Sequence, residues 1–349
     1  MGLFSKNFWF KLKRWEYWPF DILYIPVYPY FTWQIIKRRS FFFFTASNPS
    51  IDFGGMLGEK KSEIFDLIPE KYLPVTIKLP SGTDAEYVTD LMTDHHLTYP
   101  VILKPDIGER GWMVRKINSD RELQSYLDEV QVDFLLQEFV DLPLELGVFY
   151  YRFPDEQEGR VSSIVAKEML YITGDGHQTV LQLIENKPRA RFQLDALKAA
   201  YDEDFLKKTL PAGERLELVS IGNHCKGTKF LDGNSWIDSS LNKAVDTLAK
   251  SIPDFYFGRF DLRCSSIEEL RELKNFKIME LNGAGAEPAH IYQPGYSLLK
   301  AYRAIYHHIR VLSKISFLNK KRGISYWSTA QGLTKIKEIK AYNRQKSTP

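Results

Sequence analysis

The chain has 349 residues, 44% hydrophobic and 26% charged, which allows a sizeable core and more than one compact unit and excludes a disordered chain. A net charge of +3 makes no case for nucleic acid as a partner, and two cysteines, Cys225 and Cys264, cannot build a disulfide framework or a four-thiolate zinc site. No run reaches the roughly 20 apolar residues that cross a bilayer, and no secretory signal is visible, so a cytoplasmic protein is expected.

Residues 1–40 interleave aromatic and cationic side chains. Trp9, Trp15, Trp18 and Phe20 alternate with Lys11, Lys13 and Arg14; Tyr24, Tyr28 and Trp33 follow, and Lys37, Arg38 and Arg39 lead into Phe41 to Phe44. This composition suits a peripheral contact with the inner membrane face. It suits equally a seam packed on the protein body, or a homodimer contact, and pattern alone does not choose.

Residues 41–80 read as a small N-terminal α/β domain. The apolar run 41–46 predicts a strand, Gly54, Gly55 and Gly58 punctuate a loop, 62–68 predicts a short helix and 75–79 a strand. Residues 81–137 follow as a small lobe: a helix over 83–96 capped by Thr83 or Asp84, a strand over 100–104, a glycine-bearing loop over 106–111, a strand over 112–117, a helix from Ser119 to 129 and a strand from 134. A larger lobe occupies 138–315. It has strands near 145–152, 162–170, 255–262 and 276–281, a tight turn at Gly174-Asp175-Gly176, and helices from Thr179, over 234–251 and over 294–313. From 316 the chain is polar and basic, an extended tail or loosely attached helix. The order of elements is α+β.

The most specific constellation lies in the last two strands. Asp261 sits on one; Glu280 and Asn282, two residues apart and so on one face, sit on the other. Two carboxylates and an amide oxygen are hard ligands of the kind Mg²⁺ takes beside substrate phosphates. Arg259 points the same way as Asp261 and offers its fork to an anion. A salt-bridged strand end is the alternative. Upstream, Lys104 stands at the mouth of an apolar strand just before the loop holding Gly108 and Gly111, where backbone amides approach phosphate oxygens; the loop is no Walker motif.

Taken in order, Lys104, the glycine loop, the strand ending Gln137-Glu138-Phe139-Val140, Glu145, Lys167 and the Asp261…Glu280-Leu281-Asn282 set resemble the ATP-grasp superfamily over residues 75–312. The run from Gly174-Asp175-Gly176 to Ile184, and Gly222-Asn223-His224-Cys225-Lys226-Gly227-Thr228, are similar to stretches of cyanophycin synthetase. Gly258-Arg259-Phe260-Asp261 and Glu280-Leu281-Asn282 are similar to D-alanine–D-alanine ligase. Those families often continue with Ser/Thr-Pro-Gly, whereas this chain reads Gly283-Ala284-Gly285-Ala286-Glu287-Pro288, which leaves the substrate open.

The resemblance implies two α+β lobes clasping ATP. Lys104 and Lys167 would bracket the phosphates, Glu138, Phe139 and Val140 form the hinge that reads adenine, and Glu145 hold the ribose. Asp261, Glu280 and Asn282 would bind one or two Mg²⁺ ions (Mn²⁺ can substitute), and Arg259 would stabilise an acyl phosphate and the intermediate after it. His224 is a further candidate at the nucleotide, and His290 is either an acceptor contact or a surface residue. Lys60 and Lys61, before a helix of the first domain, could reach a phosphate but read better as exposed lysines; Cys225 reads as a bystander. The implied activity is an ATP-dependent carboxylate–amine or carboxylate–thiol ligase. A kinase acting on a hydroxyl, or a non-catalytic ATP-binding protein, are the alternatives.

Overall fold

Polar caps set the helix starts that the sequence anticipates. Asp84 accepts from the Tyr87 amide at 2.8 Å and opens the helix Ala85–Asp94. Ser119 opens Asp120–Glu129, and Thr179 opens Val180–Asn186 with Gln182 reaching back to complete a capping box. Each cap satisfies an amide that the first helical turn leaves without a partner. The computed structural model describes residues 6–109, 111–219, 222 and 227–345.

Four short strands come first: β1 (Thr76–Leu79), β2 (Val101–Pro105), β3 (Arg115–Ile117) and β4 (Phe134–Glu138). They form an antiparallel sheet in the order β1-β4-β2-β3. The two helices bury Val88 and Met92, and Leu123 and Tyr126, against Val101, Leu103 and Leu136 of this sheet. Spacings of three and four put each pair on one helical face. Next come β5 (Leu144–Tyr151), β6 (Arg160–Glu168), β7 (Leu170–Thr173), β8 (Arg215–Val219) and β9 (Lys229–Asp232), then β10 (Phe257–Cys264) and β11 (Phe276–Asn282).

The chain divides into two units. The smaller holds residues 1–18, 167–231 and 292–295, the larger all the rest. In the smaller, β7 and β8 pair antiparallel, and Val180, Ile184, Leu197 and Leu206 pack beside Leu170 and Ile172.

In the larger unit a second sheet runs β11-β10-β5-β6. Leu146, Val148 and Tyr150, with Phe260 and Leu262, face a core closed by Leu241, Val245 and Leu248 of the helix Ser239–Lys250. Alternation sends the intervening residues to the opposite face.

Residues 41–46 depart from expectation. In place of a strand the chain makes a turn and a short 3-10 helix, Phe43–Ala46, so that Phe42, Phe43 and Phe44 are all buried while Phe41 is exposed. A strand would have turned every second ring outward. The rings pack with Phe53, Val311 and Ile315. Asn48, fully buried, ties this segment to the larger unit's sheet. Its Oδ1 accepts from the Tyr256 and Phe257 amides at 3.0 Å each, and its Nδ2 donates to the carbonyls of Gly54 and Phe257.

The C-terminal region is also more ordered than expected. The helix Leu298–Lys321 runs past Ser316, and a further helix, Thr329–Gln345, docks on the larger unit. Lys335 pairs with Asp52, and the Tyr342 hydroxyl donates to the Ile107 carbonyl at 2.7 Å.

Candidate active site

Directly opposed residues of an antiparallel pair share a face. Asp261 stands opposite Glu280 on β11 and Gly147 on β5; Arg259 stands opposite Asn282, and Arg263 opposite Glu145. The charged residues of three strands are thereby gathered on one side of the sheet. A bulge makes this arrangement. Between Asp261 and Leu262 the register slips, the partner steps from Glu280 to Ile278, and Met279 is left unopposed. Ile278 lies in the core. It and Glu280 would share a face in a regular strand; the extra residue turns Glu280 and Asn282 to the Asp261 side.

Arg259 grips both oxygens of Asp261, from Nε at 2.6 Å and Nη2 at 3.0 Å, and its Nη1 donates to the Glu287 carbonyl at 3.2 Å. A planar fork on a carboxylate is a strong, orienting contact. Gly147 makes room for it: a Cβ there would stand 2.8 Å from Val165 Cγ1 and 3.2 Å from both Arg259 Cδ and Asp261 Oδ1. The Asn282 amide nitrogen is buried and meets no hydrogen-bond partner among the described residues. An amide can present its oxygen at that position by a half-turn.

Lys104 is buried, donating to Gln137 Oε1 and the Met279 carbonyl at 3.0 Å each, with the Phe65 ring 5.2 Å away. Burial brings its pKa down to about 7; Glu280 opposes that drop and Lys61 adds to it. Lys61 stands 4.0 Å from Glu280 Oε1 and donates to the Gly108 carbonyl at 2.8 Å. Asp106 anchors this lysine's short helix, accepting from the Ser62 amide and hydroxyl at 2.8 Å each and pairing with Lys78 at 2.9 Å. Burial would raise the Asp106 carboxyl, but these bonds outweigh it and hold it low. Beside them, burial raises the Glu59 carboxyl and Glu280 adds to the rise; its Oε2 meets no partner among the described residues.

Glu138 is occupied with β1's approach: its amide donates to the Val75 carbonyl at 2.8 Å and its Oε2 accepts from the Val75 amide at 3.1 Å. Arg263 joins the next residues, donating to the Val140 carbonyl at 2.8 Å, pairing with Glu145 at 3.0 Å and standing 5.6 Å from the Phe139 ring, which also lies 4.0 Å from the Lys116 ammonium. Gly111 takes φ +70°, a conformation that suits glycine in the loop after β2.

The larger unit thus brings together Lys104, Gly108, Asp261, Arg259, Glu280 and Asn282. Lys167 falls in the smaller unit, and His224 lies outside the described residues, as do Cys225 and Lys226. His290 is no surface residue: it is buried, its Nδ1 2.6 Å from the Ser163 hydroxyl and its Nε2 3.3 Å from that of Tyr296, and burial lowers its pKa. Cys264 is buried with its thiol pushed up to about 12, which makes it inert. Lys60 is half-buried and paired with Glu63, whereas Lys61 stands at the site, the less favoured of the two sequence readings. That lysine is placed by Asp106, far off in sequence. Arg263 was legible in principle: it follows Asp261 by two along β10 and so shares its face.

Among the described residues no three His, Cys, Asp or Glu side chains converge on a metal position. The set offered is two opposed carboxylates and an amide. That matches Mg²⁺, which is usually held by one or two carboxylates together with substrate phosphates.

No family model matches the chain, and no curated protein matches it in sequence. Among solved structures it is similar to the VanG D-Ala:D-Ser ligase from Enterococcus faecalis, at 15% identity over 74% of this chain and 61% of that one, with a TM-score of 0.41. It is similar to the D-alanine–D-alanine ligase from Coxiella burnetii, at 11% identity over 81% and 61%, TM-score 0.41. It is also similar to the D-cycloserine synthetase DcsG, at 13% identity over 72% and 70%, TM-score 0.38. The chain spans about three-fifths of the length of the first two. The chain itself is mixed α and β with antiparallel sheets.

Proposed function

We propose that the chain is an ATP-dependent ligase that activates a carboxylate as an acyl phosphate and passes it to an amine or a thiol. The observation that carries this reading is the meeting of Lys104 and Lys61 with the Asp261–Glu280 pair at one end of the second sheet. Lys61 stands 4.0 Å from Glu280 and Lys104 bonds to the carbonyl of the neighbouring Met279, so cations for a polyphosphate lie beside hard oxygen donors for its counter-ion.

Lys104 and Lys61 are assigned to the phosphates, and the amides of Gly108 and Gly111 to their oxygens. Backbone groups of Glu138 to Val140 are assigned to adenine and Glu145 to the ribose. Asp261, Glu280 and Asn282 suit one or two Mg²⁺ ions, or the equally hard Mn²⁺; when bound, such an ion neutralises charge on the phosphates.

The chemistry asked of the protein is mostly positioning. A carboxylate oxygen of the substrate attacks the γ-phosphorus, and the bond to the leaving oxygen breaks, its electron pair departing on ADP. The nucleophile then adds to the acyl carbon; the carbon–oxygen bond to phosphate breaks, phosphate leaves with the electron pair, and the nucleophile loses its proton. Arg259, already aimed along this face by Asp261, is placed to stabilise charge on the acyl phosphate and on the tetrahedral intermediate.

A phosphate-release screen with Mg·ATP against amino acids, peptides and lipid-like acids tests the reading. Turnover should rise only when a carboxylate and a nucleophile are both present. Turnover supported by a hydroxyl compound alone would instead make the chain a kinase.

A further inference from the structure

We infer that the helices Phe20–Tyr24 and Val27–Arg38, with the cleft at their C-terminal end, form a docking surface for an anionic lipid bilayer. The inference does not depend on the ligase reading. Both helices bury one side in the larger unit: Leu23, Val27 and Gln34 are almost wholly covered. The Tyr302 and Tyr306 hydroxyls donate to the carbonyls of Leu23 and Pro26, and Arg38 donates to the Ser313 hydroxyl. The other side carries large apolar groups in the open. Ile22, Ile25, Trp33, Ile36 and Phe41 are each more than half exposed, between 52% and 66%. Trp33 and Ile36, three apart, share a helical face. Scattered exposed hydrophobics need no explanation, but several on two consecutive helices mark an interaction surface.

Charge identifies the occupant. The helix Val27–Arg38 with Arg39 after it carries three Lys and Arg, and the helix Leu298–Lys321 packed beside it carries six; neither contains Asp or Glu, and the one acid on the proposed surface is Asp21, on the shorter helix. In a chain whose net charge is only +3, so long an acid-free stretch on two packed helices concentrates positive potential on one region. Where the helix Val27–Arg38 ends, an open cleft of about 850 Å³ is lined by Ile36, Phe41, Arg39, Lys320 and Tyr326. Arg39 and Lys320 are both exposed there. The Tyr326 hydroxyl has no hydrogen-bond partner among the described residues.

Apolar side chains beside two cations fit a bilayer surface: rings and branched chains enter the acyl boundary while the cations meet headgroup phosphates. No described helix is long and apolar enough to cross a membrane, so this contact lies along the surface. The surface differs from the one the sequence suggests. Trp15 is buried in the smaller unit and Phe42 to Phe44 in the core of the larger; Trp9 and Leu12 of the smaller unit are exposed, and on the larger unit the exposed apolar groups of this region fall within residues 20–41.

The test is flotation of the full chain with phosphatidylcholine vesicles, with and without phosphatidylglycerol. Two double variants are compared, Arg39→Glu with Lys320→Glu, and Trp33→Gln with Ile36→Gln, each checked for an unchanged melting temperature. The unaltered chain should float only with phosphatidylglycerol and sink as salt rises. Each double variant should bind roughly tenfold more weakly. The inference fails if the chain stays at the bottom with anionic vesicles at low salt, floats equally on neutral ones, or floats undiminished as both folded variants. It fails too if sedimentation shows a dimer, without vesicle binding, that Trp33→Gln with Ile36→Gln dissociates.

Discussion

The Lys104 ammonium donates to the Met279 carbonyl at 3.0 Å, and Met279 is the residue that β11 carries in excess over β10. A bulge takes a main-chain carbonyl out of the regular ladder, and a buried carbonyl needs a donor. Here the donor is a lysine whose other bond goes to Gln137, and the Gln137 amide in turn donates to the Thr76 hydroxyl at 2.9 Å. One chain of contacts therefore ties the first sheet to the bulge that orients Glu280 and Asn282.

Lys104 should take up a proton when a polyanion binds. Its pKa of about 7 lies below the ordinary 10.5, so over that window the unfolded chain holds a proton that the folded chain does not, and this group's contribution to stability rises with pH. Phosphates beside the lysine reverse the burial effect. Calorimetric titration with Mg·ATP at pH 8 in Tris and in HEPES should show uptake of up to about one proton. Lys104→Met should remove the uptake and weaken binding by about 1.5–3 kcal/mol. Buffer-independent heats in the unaltered chain would contradict this.

Asp261→Asn and Glu280→Gln should both abolish metal-dependent ATP turnover, yet differ in stability. The Asp261 and Arg259 side chains are 9% and 19% exposed, so removing the acid strands a largely buried guanidinium; Glu280 is 36% exposed and 4.0 Å from its lysine. Thermal unfolding should therefore show the larger loss for Asp261→Asn, on the order of 2 kcal/mol or more. Equal melting temperatures for the two variants would count against the arrangement.

Much of the fold was readable because it rests on local chemistry: the caps Asp84, Ser119 and Thr179 and the alternating strands around Asp261. The failures share a cause. Residues 41–46 have the composition of a strand, but three adjacent rings needed burial together, and only the surrounding core could say so. The bulge that parts Ile278 from Glu280 is likewise invisible to periodicity. Lys61 reached the site through Asp106, which holds the next residue, Ser62, across 44 positions.

Gly55→Ala should destabilise the chain without touching the charged face. Gly55 has φ +72°, and a Cβ there would stand 2.7 Å from the Gly283 Cα, a backbone atom that cannot step aside. The Ala284 and Gly285 amides bond to the Gly54 and Gly55 carbonyls at 3.0 and 2.8 Å, so the two loops are locked together. The expected cost is about 2–4 kcal/mol by chemical denaturation. A loss below that of an exposed substitution such as Gly82→Ala would contradict the close approach.

His308 should make the fold acid-sensitive. It is buried, its Nδ1 donating to the Ala304 carbonyl and its Nε2 accepting from the Ser162 hydroxyl at 2.9 Å, and burial brings its pKa from 6.5 to about 4. Between those values the unfolded chain binds the proton and the folded chain does not. The stability it contributes is thus whole above pH 6.5 and falls as pH drops towards 4. His308→Asn should be less stable at pH 7 and lose less between pH 6.5 and 4, read from urea midpoints. Parallel pH profiles would exclude the assignment.

The most direct test of the nucleotide assignment is a titration of Mg·ATP into the full chain, alongside the Glu280→Gln variant, with Mg²⁺ varied. The account predicts saturable binding that strengthens with Mg²⁺ in the unaltered chain and has lost most of that dependence in Glu280→Gln, whose melting temperature stays close to it. No saturable binding by the unaltered chain, or the same Mg²⁺ dependence in both, would contradict it.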